Sequence, residues 1–196
     1  IYDFRSSGER RRADDAVLSL TGEGKALGAA HRWTAGAEYF ARAVDMSSWI
    51  YDAVGSDNIF NPDPAVVPPS TSGAPVARRV LDHRQDSLFA RDAATLGRWT
   101  LRAGARLTLA RESAFDAGTG AKTARRRAAR VLPEGALSYS WPAASAYASY
   151  AEGLELGGIA PAGSGNAQAV MPARVARQAE AGVKARVGAG LLLTAA

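Results

Sequence analysis

The sequence predicts an all-β fold: an antiparallel, up-and-down segment of a transmembrane β-barrel, about nine strands of a larger barrel. Three observations carry this. Apolar and polar residues alternate with period two, the connections between alternating stretches are short and long in turn, and Trp residues gather beside the short ones.

The alternation is clearest over residues 99–111. Trp99, Leu101, Ala103, Ala105, Leu107 and Leu109 share one face, and Thr100, Arg102, Gly104, Arg106 and Thr108 share the other. At helical period the arginines would fall among the leucines, so a strand between two different environments fits better. Taken in order, the expected strands are 1–9, 14–23, 29–44, 83–96, 99–111, 131–141, 144–153, 174–185 and 189–196. Over 14–23, Ala16, Leu18 and Leu20 oppose Val17, Ser19 and Thr21. Over 29–44, His31, Trp33, Ala35, Ala37, Tyr39 and Ala41 oppose Arg32, Thr34, Gly36, Glu38 and Arg42, with Phe40 as the one exception on the polar face. Residues 83–96 are mixed, because Asp92 shares a face with Leu88 and Leu96. Over 131–141, Gly135, Leu137, Tyr139 and Trp141 oppose Glu134, Ser138 and Ser140. Residues 144–153 are rich in Ala and Tyr and lack a clear pattern. Over 174–185, Val175, Ala179, Ala181 and Val183 oppose Arg174, Gln178, Glu180 and Lys184. The Ala-rich piece 125–130 is open to a short helix.

Short connections are expected at 24–28, 97–98, 142–143 and 186–188, and long ones at 45–82, 112–130 and 154–173. In an up-and-down sheet alternate connections lie at opposite ends, so short turns share one end and long loops the other. The connection near 8–13 belongs to the long end but is short. Barrels of the outer membrane sort their loops this way, and a soluble sandwich has no reason to. Trp33, Trp99 and Trp141 each lie near a short turn and on the apolar face, as an aromatic girdle at a membrane–water boundary would. The alternative for each is core packing. Twelve steps from 99 to 111, at about 3.3 Å each and tilted near 40°, leave roughly 30 Å along the membrane normal.

Composition narrows the remaining classes. Hydrophobic residues are 47% of 196, yet no apolar run approaches the ~20 residues that a membrane helix needs. The absence of Cys excludes disulfide scaffolds and thiolate metal sites. The net charge is +5 and is mostly carried by Arg, with one dense cluster at Arg125-Arg126-Arg127 and Arg130. No nucleic-acid motif accompanies it, so no nucleic-acid partner is expected. The chain opens on Ile1-Tyr2-Asp3 without a signal peptide and stops inside an apolar run at 192–196, so an internal piece of a longer protein is expected.

Several segments, in order and spacing, resemble those of TonB-dependent ferric-siderophore receptors. They are His31-Arg32-Trp33-Thr34-Ala35-Gly36-Ala37-Glu38-Tyr39, Asn58-Ile59-Phe60-Asn61-Pro62 and Asp86-Ser87-Leu88-Phe89-Ala90-Arg91-Asp92. Residues 99–107, Leu132-Pro133-Glu134-Gly135-Ala136-Leu137-Ser138-Tyr139, Tyr147-Ala148-Ser149-Tyr150-Ala151-Glu152-Gly153-Leu154, and 171–184 complete the set. The resemblance implies a barrel of about 22 strands with a plug in its lumen, of which residues 1–196 form a partial barrel domain. The plug, the TonB-contacting segment and the closing C-terminal strand are not found in this sequence. Left unclosed, such a piece would expose two sheet edges.

The resemblance implies uptake of a ferric siderophore across the bacterial outer membrane, with energy delivered by the TonB complex through the plug. It implies no enzymatic step, and the sequence holds no nucleophile elbow, phosphate loop or paired His ligands. No cofactor is implied, because the siderophore carries the iron. Siderophore chelates suit aromatic and Arg side chains at the outer mouth. The candidates are Trp49, Tyr51 and Phe60 in the longest loop, and Arg106 on the polar face. For each, loop packing or solvation of the polar face is the alternative. The Arg125–Arg130 cluster is a candidate contact for lipopolysaccharide phosphates beside the outer-membrane lipid. His31 is expected to be structural, and Asp14-Asp15 a solvated strand start. Two rivals remain: another outer-membrane barrel, such as a porin or a receptor for a different nutrient, and a soluble β-sandwich binding module.

Overall fold

The computed structural model describes residues 2–5, 8–58, 60–61, 72–73, 76–155, 157, 165, 171–188 and 190–196; for 2–5 the backbone alone is described. Parts of the expected long connections 45–82 and 154–173 therefore lie outside the described residues, as do Ile59 and Pro62.

The nine expected strands are present, and a tenth lies inside the first long connection. They are β1 (Tyr2–Arg5), β2 (Arg10–Ala26), β3 (Ala29–Met46), β4 (Ile50–Ala53), β5 (Arg78–Leu96), β6 (Trp99–Phe115), β7 (Lys122–Ser140), β8 (Ala144–Glu155), β9 (Arg174–Val187) and β10 (Leu191–Ala195). Eight of them form one sheet in the order β10-β9-β8-β7-β6-β5-β3-β2, so each strand pairs with its neighbour in that meander. The pair β1–β4 stands apart as a two-stranded sheet, with Tyr2 opposite Ala53 and Phe4 opposite Tyr51. The connection from β1 to β2 is short, as expected, but it falls ahead of Arg10 rather than at 8–13, and β1 pairs with β4 and not with β2. The helix considered at 125–130 is corrected too, since these residues are strand throughout. Most of the expected 112–130 connection is likewise strand, with only 116–121 left between β6 and β7.

Contacts divide the chain into two compact units. One comprises 1–14, 41–83 and 112–125; the other comprises 15–40, 84–111 and 126–196. Nearly all the short turns belong to the second. Leu27 and Gly28 join β2 to β3 with φ of 53° and 79°, the paired positive values of a type I′ turn, whose twist matches that of the flanking strands. Gly97 takes φ 59° ahead of Arg98, as the first position of a type II′ turn demands. Backbone bonds lace the short ends together. The Ser140 N–H donates to the Arg98 carbonyl at 2.9 Å, Trp141 to Ala144 at 2.8 Å, and Arg186 to Ala143 at 2.7 Å.

The second unit is inverted relative to a water-soluble sheet. The large apolar side chains stand in the open: Leu18, Leu20, Leu88, Leu101, Leu107, Leu109, Val131 and Leu137 are all exposed. Among the described residues its buried side chains are mostly polar or small, Leu132 being the exception. Ser87 and Thr108 are buried against each other, with their hydroxyls 3.3 Å apart, next to Ala110 and Leu132. Singly exposed leucines need no explanation, but a contiguous apolar face does. The register of β7, β8 and β9 shows the sorting directly. Leu137 opposes Ala148, which opposes Ala181, while Ser138 opposes Tyr147 and Ser149 opposes Glu180. Opposed residues in an antiparallel sheet share a face, so one face is apolar across three strands and the other polar.

Candidate functional site

The loop candidates lie in the first unit. Trp49 precedes β4, and Tyr51 lies on it, opposite Phe4 of β1. Both are well exposed, and Phe60 is 90% exposed on a turn. That turn is closed by Asn58: its side-chain oxygen accepts from the Phe60 N–H at 2.9 Å, and its carbonyl accepts from Asn61 at 3.2 Å. A polar side chain bonding to its own turn is a common way to hold an exposed aromatic in place. The four-residue β4 is the element the alternation could not reveal, because its partner is the distant β1.

Below the strand ends of the same unit, charged groups form a compact network. Arg79 donates to Asp45 at 2.6 Å and also to Asp82. His83 lies with Nδ1 3.6 Å from Glu112, both nearly buried, and Ser47 is fully buried. Opposite, the 116–121 connection is organised by Asp116, whose carboxylate accepts from the Thr119 N–H at 2.7 Å, the Thr119 hydroxyl at 2.8 Å and the Gly118 N–H at 3.1 Å. These donors, Thr119 first, hold the Asp116 carboxyl below its ordinary value, because they bond the charged form. Arg78 donates to the Gly118 carbonyl and adds to that shift.

Arg106 lies in the second unit, on the polar face. Its Nη1 donates to Glu38 at 2.5 Å, and its guanidinium stacks over the Phe89 ring at 5.3 Å. Charge and stacking together hold this side chain in place. Gly36 makes the arrangement possible: a Cβ there would meet the Leu18 carbonyl and sit 2.7 Å from the Phe89 ring. Toward the short turns, a recess of about 450 Å³ is lined by Arg32, Arg91, Arg102 and Glu134. Arg32 is tied to Glu23 at 2.8 Å. These residues were not singled out from sequence, although their signal was there: each falls on the polar side of its strand. Further along that face the Lys184 ammonium sits 5.5 Å from the Tyr147 ring centroid, and the Tyr147 hydroxyl donates to Glu180. Among the described residues no three His, Asp or Glu side chains converge as a metal-binding set.

The three Trp candidates also lie in the second unit. Trp99 and Tyr139 meet edge to face at 4.7 Å, and so do Tyr139 and Trp141, also at 4.7 Å. Such pairs contribute ~0.5–1.5 kcal/mol each beyond their burial. Trp33 lies across Gly22 of β2, its ring filling the space a side chain there would take. On the same face the His31 Nδ1 and Asp92 Oδ2 are 2.6 Å apart. The Arg125–Arg130 cluster is divided by strand alternation. Arg125 and Arg127 are exposed, while half-buried Arg126 donates to the Gly157 carbonyl at 2.7 Å.

Comparison with known proteins places this architecture. No curated protein sequence matches. Among solved structures, the chain is similar to BauA, the ferric preacinetobactin receptor from Acinetobacter baumannii, at 21% identity and a TM-score of 0.65, over 91% of this chain and 27% of that one. It is also similar to the siderophore receptor PiuA from Acinetobacter baumannii, at 20% identity and a TM-score of 0.63, over 90% of this chain and 29% of that one. The chain thus spans less than a third of each receptor's length. The family model described as TonB dependent receptor-like, beta-barrel matches residues 2–196. Across essentially its whole length, then, this chain belongs to the TonB-dependent receptor-like β-barrel family.

Proposed function

We propose that these residues form part of a bacterial outer-membrane receptor that takes up ferric siderophores with TonB-coupled energy. The observation that carries the reading is the family match along residues 2–196, on a sheet whose large apolar side chains face outward. A face of that kind suits lipid, and the polar face suits a hydrated lumen. The similarity to two siderophore receptors supports the substrate class. Iron arrives inside its chelator, so the protein needs no metal ligands or cofactor of its own, and no covalent step is required. Energy from TonB reaches the transported ligand through a plug domain.

In this reading Trp49, Tyr51 and Phe60 meet the chelate at the outer mouth, and Arg106 holds charge within the lumen. Trp33, Trp99 and Trp141 sit at the periplasmic margin of the apolar band, where indole rings partition well. Outer-membrane lipid and lipopolysaccharide contact the apolar face, with phosphates near Arg125 and Arg127.

Uptake of radioactive iron by a receptor-deletion strain tests this. The full-length receptor is expected to restore uptake for one member of a siderophore panel. Trp49→Ala with Tyr51→Ala is expected to weaken that uptake by about tenfold in apparent affinity, the scale of an aromatic hot-spot pair. No rescue by any siderophore would overturn the substrate class.

A further inference from the structure

We propose that the short-turn rim of the second unit is a docking edge for an extended acidic segment of a periplasmic protein, gripped by Leu27 and by the cations Lys25, Arg98 and Arg186. The inference rests on the outer-membrane reading above, in which the short turns face the periplasm.

Two independent features meet on this rim. The first is Leu27, fully exposed at φ 53° in the turn between β2 and β3. A leucine is unfavourable in that backbone region, and its open apolar surface adds to the cost. Nothing in the hairpin offsets either term, and an outlier of this kind points to a contact with another molecule. The neighbouring turn supplies a second leucine. Leu96 is exposed ahead of Gly97, and a Cβ at Gly28 would stand 4.0 Å from it. Because β3 and β5 are neighbours in the sheet, the tips of the β2–β3 and β5–β6 hairpins adjoin there.

The second is charge of one sign. Lys25, Arg98 and Arg186 are exposed at the turns, and none has an ion pair or side-chain hydrogen bond to another described residue. The one acid at these turns, Glu23, is taken up by Arg32 at 2.8 Å. Each cation has an exposed apolar side chain beside it in sequence: Leu27, Leu96 and Val187 respectively. Backbone bonds from Ser140 to Arg98 and from Arg186 to Ala143 hold the turns side by side. A hairpin is two strands wide, so successive tips stand about 10 Å apart and the three cations spread over roughly 30 Å. A lipid headgroup or a small anion meets only one of them. An extended chain of about ten residues reaches all three. Its carboxylates then face the cations and fix its register, while Leu27 is the apolar anchor.

The test uses the full-length receptor in nanodiscs of zwitterionic lipid, titrated by fluorescence anisotropy. The probes are labelled peptides of about twelve residues, long enough to span the rim. One carries Glu and Leu in a Ser background, a second has Lys in place of Glu, and a third has Ser in place of Leu. Wild type is expected to prefer the first, with an affinity that falls as salt is added. Leu27→Asn should lose about tenfold, the scale of one apolar anchor, although the hairpin itself tolerates Asn there. Lys25→Gln with Arg98→Gln should lose a similar factor and remove the preference over the Lys peptide. Arg10→Gln, at the opposite end of β2, should bind as wild type does. Equal binding of the three peptides, or undiminished binding by Leu27→Asn, overturns the proposal. Loss of peptide binding when phosphatidylglycerol replaces the zwitterionic lipid would assign the rim to lipid and overturn it as well. Reaction of Arg98→Cys with a membrane-impermeant maleimide on intact cells would instead place the short turns outside and sink the membrane reading itself.

Discussion

Gly36 shows how a single residue governs this sheet. With the Leu18 carbonyl and the Phe89 ring closing on it, Gly36→Ala must push strand β2 or the ring aside. The expected cost is about 1–3 kcal/mol, the usual scale of overpacking, read as a lower thermal midpoint of the folded barrel on a heat-modifiability gel. The Arg106–Glu38 pair is partly solvated, at 37% and 24% side-chain exposure. Arg106→Ala should therefore cost only ~1 kcal/mol, because solvent screening offsets the loss of the partner. A much larger loss in the same assay would mean that the pair is drier than its exposure implies. Asp116 has a sign that can be worked out. Its carboxyl titrates below its ordinary value in the folded loop, so its contribution is present at neutral pH and is lost as the pH falls below that ordinary value toward the folded one. Amide exchange at Gly118 and Thr119 should accelerate in that acid window, and Asp116→Asn should show the faster exchange already at neutral pH. Unchanged exchange in the variant would show that Arg78 and the backbone hold the loop alone.

The turn between β2 and β3 carries a removable cost. Leu27 sits fully exposed at φ 53°, where a side chain clashes with its own backbone. Leu27→Asn should stabilise the hairpin by about 1 kcal/mol, since Asn tolerates this region and Leu does not. A loss of stability would show that Leu27 packs on something, such as lipid, that its exposure does not reveal. The strands themselves were legible wherever their two faces meet different surroundings. Residues 99–109 alternate because one side is apolar and the other polar. Beyond the band that difference ends, so Lys122-Thr123-Ala124-Arg125 carries no period and reads as loop, although β7 runs 19 residues from Lys122 to Ser140. Backbone pairing sustains the ladder there without help from side-chain sorting. The short β4 was hidden for a different reason: its pairing is non-local, and four residues set no pattern. The recess of Arg32, Arg91, Arg102 and Glu134 was implicit in the polar faces, but its assembly depends on register between strands, which a single strand's pattern does not supply.

At the scale of the whole molecule, the decisive property is the inversion of burial. Ser87 and Thr108 hide from solvent while Leu101, Leu107, Leu109 and Val131 do not. In water such a face would cost ~25 cal/mol for each Å² left exposed. Against lipid the same surface is satisfied, and the sheet needs no second layer. The Trp99–Tyr139–Trp141 chain lies at the short-turn end of that apolar face. Whether this face meets lipid is read by nitroxide scanning along β6. Single spin labels at positions 99–109 of the full-length receptor, reconstituted in vesicles, would be compared for relaxation by oxygen and by a water-soluble nickel chelate. A lipid-facing side gives alternation with period two, with oxygen favoured at 101, 103, 105, 107 and 109 and the chelate at 100, 102, 104 and 106. Uniform chelate access on both faces, or no alternation, would contradict it.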